Sequence, residues 1–196
     1  MKMKKLNQFA LFAIFVAMIS ACTPKAGGDY TQVIPVEATT VVALDLNSMS
    51  DKAGLNDQDN QVFKEKILEA MTSGLKPTSV AHIEKIMKDP SESGISSKDP
   101  IYVFISPTTK NPVIVAKISN EKKLLTTLDV MAEEQIGDPV MKRDGLSIMK
   151  TSDMFVAFNN TSVILGDVNR SFQEDEIIGY LKTKSEESIH QSTYFQ

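Results

Sequence analysis

The sequence predicts an α+β domain, a mostly antiparallel sheet with helices packed on one face. Three observations carry that prediction. Apolar runs of strand length (VVALDL, IYVFI, VIVAKI) recur along the chain, and several are joined by connectors far shorter than the dozen or more residues a parallel crossover needs. Between them lie segments whose apolar residues repeat at three- and four-residue spacing, the period of a helix with one buried face. The chain has 196 residues, 42% of them apolar, which is enough for one domain with its own core and hardly two.

The first 22 residues, MKMKKLNQFALFAIFVAMISAC, stand apart from that domain. Lys2, Lys4 and Lys5 form a positive start, and Phe9 to Ile19 is apolar without charge or proline. The run is shorter than the roughly 20 residues that span a hydrocarbon core. It has the length of the apolar region of a secretory signal. It ends in Ile19-Ser20-Ala21-Cys22, which resembles the lipobox of bacterial lipoproteins, with Ile19 where leucine is commoner. That resemblance implies removal of residues 1–21, a diacylglycerol thioether on Cys22 and acylation of the new amino terminus. Several acyl chains, at roughly 0.8 kcal/mol per buried CH₂, hold a protein firmly where one would be marginal. An ordinary secretory signal or an uncleaved anchor helix is the plainer alternative. Residues 22–32 then read as the lipidated cysteine and a flexible polar tether.

Charge and composition exclude several classes. Three of the 21 basic residues lie in the first 21 positions, which leaves 18 against 25 acids, or −7, for the remainder. An acidic surface argues against nucleic acid or an anionic membrane face as partner. Cys22 is the single cysteine, so neither a disulfide nor a thiolate metal site is open to the chain. Tryptophan is absent and the four tyrosines are sparse, which weakens any case for a sugar-stacking platform.

The domain is expected over residues 33–183. Thr39–Leu46 reads as a buried β-branched strand. A short helix follows, with Asn47 or Ser48 as N-cap and Gly54 beyond its end. Asp57–Asn60 opens a second helix with Phe63, Ile67, Ala70 and Met71 facing the core, closed by Gly74 and Pro77. Ser79–Lys88 is a third, with Val80, Ile83 and Met87 inward, stopped at Asp89-Pro90. Ile101–Ile105 and Val113–Ile118 form a hairpin with a longer loop. Asn120 caps an amphipathic helix to Ile136 that buries Leu124, Leu125, Leu128, Met131 and Ala132 and ends at Gly137 and Pro139. Strands at Leu146–Lys150, Met154–Phe158 and Ser162–Leu165 follow, the first after an Asp144-Gly145 turn and the last after the Asn159–Thr161 turn. A helix over Ser171–Thr183 completes the domain. Residues 184–196 form a weakly ordered tail. Its apolar end, Tyr194-Phe195, suggests either fraying or a longer protein cut short, with truncation preferred.

The lipobox together with DYTQVIPVEATTVVALDLNSMSDKAGL, IEKIMKDPSESGISSKDPIYVF and AFNNTSVILGDV resembles a lipoprotein family of unknown function abundant in Bacteroidetes. The resemblance implies an envelope lipoprotein attached to the outer membrane. The resemblance also implies a longer protein with a further, related half, of which this chain would be a truncated form or a short paralogue. The resemblance supplies no catalytic residue, and nothing beyond Cys22 is carried over from it.

No catalytic or metal constellation is legible. His82 lies off the apolar stripe of its helix and lacks a ligand at metal spacing, and His190 sits in the tail. Asp45 interrupts an apolar strand. Buried, it would have a shifted pKa, but alternation puts Leu44 and Leu46 inward and Asp45 toward water or the following turn. Asp89-Pro90-Ser91-Glu92-Ser93-Gly94 and Asp99 offer oxygen atoms of the kind Ca²⁺ takes, without EF-hand spacing, and read equally as helix-stop and turn chemistry. Glu133-Glu134 and Glu174-Asp175-Glu176 are helix-surface runs rather than a glycosidase pair. The expectation is a non-enzymatic envelope lipoprotein without cofactor, a binding or scaffolding module. Its partners would be the membrane, through the anchor, and an envelope protein or glycan. The competing expectations are a hydrolase or glycan-processing accessory lipoprotein, which convergence of Asp45, Asp99 and His82 would support, and a truncated copy without an independent role.

Overall fold

The computed structural model describes residues 29–52, 61–168 and 174–195. The signal, Cys22, the polar tether up to residue 28, the Gly54 helix end and the Asp57–Asn60 helix start lie outside these residues. The described chain folds as α+β, with seven strands in one fully antiparallel sheet of order β1-β2-β3-β7-β6-β5-β4.

A 3₁₀ turn at Asp29–Val33 leads to β1 (Val41–Leu44). Three helices follow: α1 (Leu46–Lys52), α2 (Gln61–Thr72) and α3 (Pro77–Lys88). The hairpin β2 (Ile101–Ile105) and β3 (Pro112–Lys117) lies within a residue of its predicted bounds. Helix α4 (Glu121–Glu133) carries the chain from the middle of the sheet to its far edge. From there β4 (Met141–Arg143), β5 (Leu146–Lys150), β6 (Met154–Phe158) and β7 (Ser162–Asp167) step back until β7 pairs with β3. Helix α5 (Glu174–Leu181) closes the domain. The Asp144-Gly145 turn has both residues at positive φ (52° and 81°), the type I′ geometry whose twist suits a tight hairpin. Strand β4 escapes the sequence pattern because all three of its residues are exposed.

Each sheet face carries its own core. One is built from Tyr102, Phe104, Val113, Val115, Phe155 and Ile164, covered by Tyr30, Val33 and Ile34, by α5 through Ile177, Ile178, Tyr180 and Leu181, and by Ile189. The other is built from Ala116, Val156, Phe158, Val163 and Met149 beneath Leu124 and Leu128 of α4. The long α4, with α3 against it, makes the predicted helical layer on one face. The short α5 departs from it, because its four buried apolar residues reach the opposite face. Asn120 caps α4 as predicted, accepting from the Lys123 amide at 3.1 Å.

Several expectations are corrected. Strand β1 is not buried: it is an edge strand paired with β2 alone, and Val42 and Leu46 are exposed. Helix α2 buries no residue. Phe63 is 52% exposed, and Met71 and Ala70 also face solvent, because α2 packs on α3 rather than on the sheet. Helix α3 starts at Pro77, which suits the first helical position, and its one buried residue is Ser79 rather than Val80, Ile83 or Met87. Tyr30 and Thr31, assigned to the tether, are fully buried. The stretch assigned to a weakly ordered tail folds back on the N-terminal turn, where Ile189 N donates to Ile34 O at 2.8 Å and Val36 N to Glu187 O at 2.9 Å. Its apolar residues find partners in that turn, which sequence proximity could not reveal.

A candidate binding surface

Most polar residues singled out in the sequence are engaged in holding the fold. Asp45 is the N-cap of α1: its carboxylate accepts from Ser48 N at 3.0 Å and from the Ser48 hydroxyl at 2.7 Å. The Ser48 amide first, then its hydroxyl, holds the Asp45 carboxyl below its ordinary value. His82 Nε2 lies 3.0 Å from the Thr127 hydroxyl, bridging α3 and α4. Asp89 caps the 3₁₀ turn Pro90–Ser93 by accepting from Ser91 N and Oγ.

Glu92 sits between Lys85 at 2.5 Å and Lys123 at 2.6 Å. Lys123 and Lys85 together hold its carboxyl down at about 2. Asp99 accepts from Ser96 at 2.7 Å and from Lys117 at 3.1 Å. With these partners the Asp89–Asp99 loop has no cluster of carboxylates facing an open site. Among the described residues no group of three His, Cys, Asp or Glu side chains is placed to hold a metal ion. In the set that would have supported hydrolysis, Asp45 bonds to Ser48, Asp99 to Ser96 and Lys117, and His82 to Thr127, and none of the three is bonded to another.

The helix-surface acids serve as struts. Glu134 caps a helix that is not its own, accepting from Lys76 N at 3.0 Å and from the Ser79 hydroxyl at the start of α3. Glu174 and Asp175 are held by Arg143 at 3.1 and 2.9 Å, and Glu174 also by Lys150. Glu176 accepts from the Ser106 hydroxyl and from Tyr180 Oη at 2.6 Å. Sequence reasoning missed this buried Ser106–Glu176–Tyr180 group, whose members lie up to 74 positions apart. Ser106 Oγ also accepts from Thr108 N at 3.1 Å and Thr109 N at 2.9 Å, so its oxygen is saturated. It fastens the β2–β3 loop to α5.

What the structure leaves uncovered is apolar. In register, Val42, Val103, Ile114, Leu165, Val156 and Met149 form one row across six strands. Val156 and Met149 are buried beneath α4. Leu165, Ile114 and Val103 are half-buried and Val42 is exposed. A groove of about 370 Å³ runs over this part of the sheet, with Val103, Ile114, Met154, Leu165 and Pro112 in its lining beside Asp153 and Asp167. Two other clefts, of about 520 and 360 Å³, are lined largely by polar loop residues, among them Asp138, Lys150 and Thr151 in the first and Ser96, Ser97 and Lys98 in the second. Six of the nine large apolar side chains exposed among the described residues fall between Val42 and Met71, in β1, α1 and α2. No described helix is long and apolar enough to cross a membrane.

No curated protein and no solved structure is detectably similar to the chain. A family model matches residues 30–196, from the first buried residue of the N-terminal turn onward. On that match, which covers far more than half its length, the chain belongs to the family described as a domain of unknown function (DUF4836).

Proposed function

We propose that this protein is a lipid-anchored envelope protein, attached to the outer membrane through Cys22, whose domain binds another envelope protein and performs no catalysis. The observation that carries the binding role is the half-covered sheet face. Row residues under α4 are dry, while Leu165, Ile114 and Val103 of the same row line a groove and Val42 beyond them is exposed. Apolar area left in water costs roughly 25 cal/mol per Å², and contiguous patches of this kind mark interaction sites. The groove lining holds no aromatic ring for a sugar to stack on, which favours protein side chains over glycan as its occupant. The periplasmic face suits the sequence, because a single acid, Asp29, follows Cys22 in the tether.

The test is a photo-crosslinking residue at Ile114 in the native host. A discrete adduct with an envelope protein at Ile114, absent when the probe replaces Lys122 on α4, is the expected result. No adduct specific to Ile114 would refute the binding role. Mass spectrometry of the mature amino terminus tests the anchor, with an acylated Cys22 expected. An unmodified or uncleaved terminus would refute it.

A further inference from the structure

We infer that the domain lies on the lipid bilayer through helix α1, with Leu46 and Met49 as the contacting side chains. The inference rests on lipidation of Cys22, and it adds an orientation that the anchor alone does not provide. Asp29 lies seven positions after Cys22, so the described domain begins at most about 25 Å of extended chain from the bilayer surface. The point where the chain enters the domain is fixed. Tyr30, buried in the core, donates its hydroxyl to Pro100 O at 2.8 Å. Helix α1 is fixed to the same loop, because Asn47 Nδ2 donates to Ser97 O. Ser97 and Pro100 are three residues apart, no more than about 11 Å along the chain. Asp99 within this loop is held by Ser96 and Lys117, so the loop is a stiff bracket between the entry point and α1.

The end of the molecule nearest the anchor is therefore the end that carries α1. That helix buries no residue, and Leu46 and Met49, at i and i+3, present one apolar face with Met49 53% exposed. The charges around it are mixed: Lys52 and Lys98 are exposed, Asp51 is exposed, and Asp45 is occupied in capping the helix. Attraction to anionic headgroups is thus balanced out, and the contact is apolar, insensitive to salt. A short tether holds the helix at high local concentration near the surface, where a shallow apolar contact is enough to select one orientation.

The molecule contains its own control. Met141, in β4, is 54% exposed and lies at the opposite edge of the seven-stranded sheet, about 29 Å from β1 at the usual strand spacing. With Cys22 acylated, a cysteine placed at either position is the single free thiol of the chain. The full-length lipidated protein carrying Met49→Cys or Met141→Cys is labelled with bimane and reconstituted in phosphatidylethanolamine–phosphatidylglycerol vesicles containing a headgroup spin label. The expected result is loss of most of the fluorescence at position 49 and retention at position 141, unchanged by raised salt. Equal quenching at both sites, quenching at 141 alone, or none at either would overturn the inference. Adding Leu46→Asp to the Met49→Cys protein, with its circular dichroism unaltered, is expected to abolish the quenching. Persistence would mean that the tether alone brings residue 49 near the lipid, and would also overturn it. Mass measurement of Cys22 before reconstitution separates failure of this contact from failure of the anchor itself.

Discussion

The Nε2 atom of His190 lies 3.0 Å from the hydroxyl of the buried Thr31, joining residues 159 positions apart. Around this contact the C-terminal stretch closes over the N-terminal turn: Phe195 stacks edge-on against His190 and tilted against Tyr102, and Ser188 bridges Pro35. The two ends of the described chain thus lock one another onto the sheet. Ile189, 4% exposed, is the apolar plug of that lock. We predict that Ile189→Ala costs about 3 kcal/mol, the usual range for truncating a buried isoleucine. Urea unfolding would measure it, and a cost near zero would show that the C-terminal stretch is dispensable.

Two buried tyrosines on the same sheet face should respond oppositely to loss of the hydroxyl. Tyr180 Oη donates to Glu176 and lies 3.2 Å from Ser106 Oγ, and its own ionisation is pushed up, by burial first and Glu176 second. Tyr102 Oη has no hydrogen-bond partner among the described residues, although Tyr30 is close enough to bear on its ionisation. Tyr180→Phe is expected to cost about 2 kcal/mol, the worth of a bond to a charged group, and Tyr102→Phe to be neutral or stabilising by about 1 kcal/mol. Comparison of the two urea midpoints decides the matter. A large loss in Tyr102→Phe would reveal a partner for that hydroxyl.

Glycine positions offer a sharper contrast. Gly94 has φ of 85°, and a Cβ there would meet Leu124 N at 2.2 Å and Asn120 O at 2.6 Å. Its carbonyl also receives Ser119 N and Asn120 N at the start of α4. Gly74 has nearly the same φ, 83°, with open space where its Cβ would stand. Gly74→Ala should cost roughly 1–2 kcal/mol from the left-handed backbone alone. Gly94→Ala should cost clearly more, since two backbone segments must move apart. Equal thermal shifts in the two variants would contradict the close packing of this loop on α4.

Acid should weaken the fold through Glu92. Its carboxyl titrates at about 2 in the folded protein against 4.5 for the free side chain, so between those values the unfolded chain binds more protons. The contribution of Glu92 is therefore complete above about pH 4.5 and lost as pH falls toward 2. Asp45, Asp89 and Glu134 shift in the same direction and add to the slope. Glu92→Gln should lower the urea midpoint at pH 7 and make little difference at pH 2. A constant deficit at both pH values would mean that the lysine pairs do not act through the charge of Glu92.

Where local signals decide structure, the sequence sufficed. The β2–β3 hairpin, the β5 and β6 strands, the Asn120 cap and the Leu124–Leu128 stripe of α4 each follow from a turn, a cap or a period contained within a dozen residues, and the fold has them. Asp45 as a cap was within reach for the same reason, its partner being three residues away. Periodicity misled at α2. An apolar stripe over Phe63, Ile67 and Met71 shows that a helix has two faces without showing what covers one of them. The Ser106–Glu176–Tyr180 group and the Glu134 cap of α3 had no signal to find, since their spacings belong to the fold.

By itself, the sequence determined an α+β chain with a lipobox-like segment ahead of it. Those features depend on residue type and neighbour spacing, which a chain carries before it folds. The tertiary structure alone decided which apolar residues stay wet. Strand order placed β1 at an edge, α4 reached the β5–β6 side of its sheet face and stopped short of Val103 and Ile114, and the C-terminal stretch sealed the other face. Burial depends on which distant elements meet. For that reason the uncovered apolar row, unlike the lipobox-like segment, came into view only when the sheet was assembled.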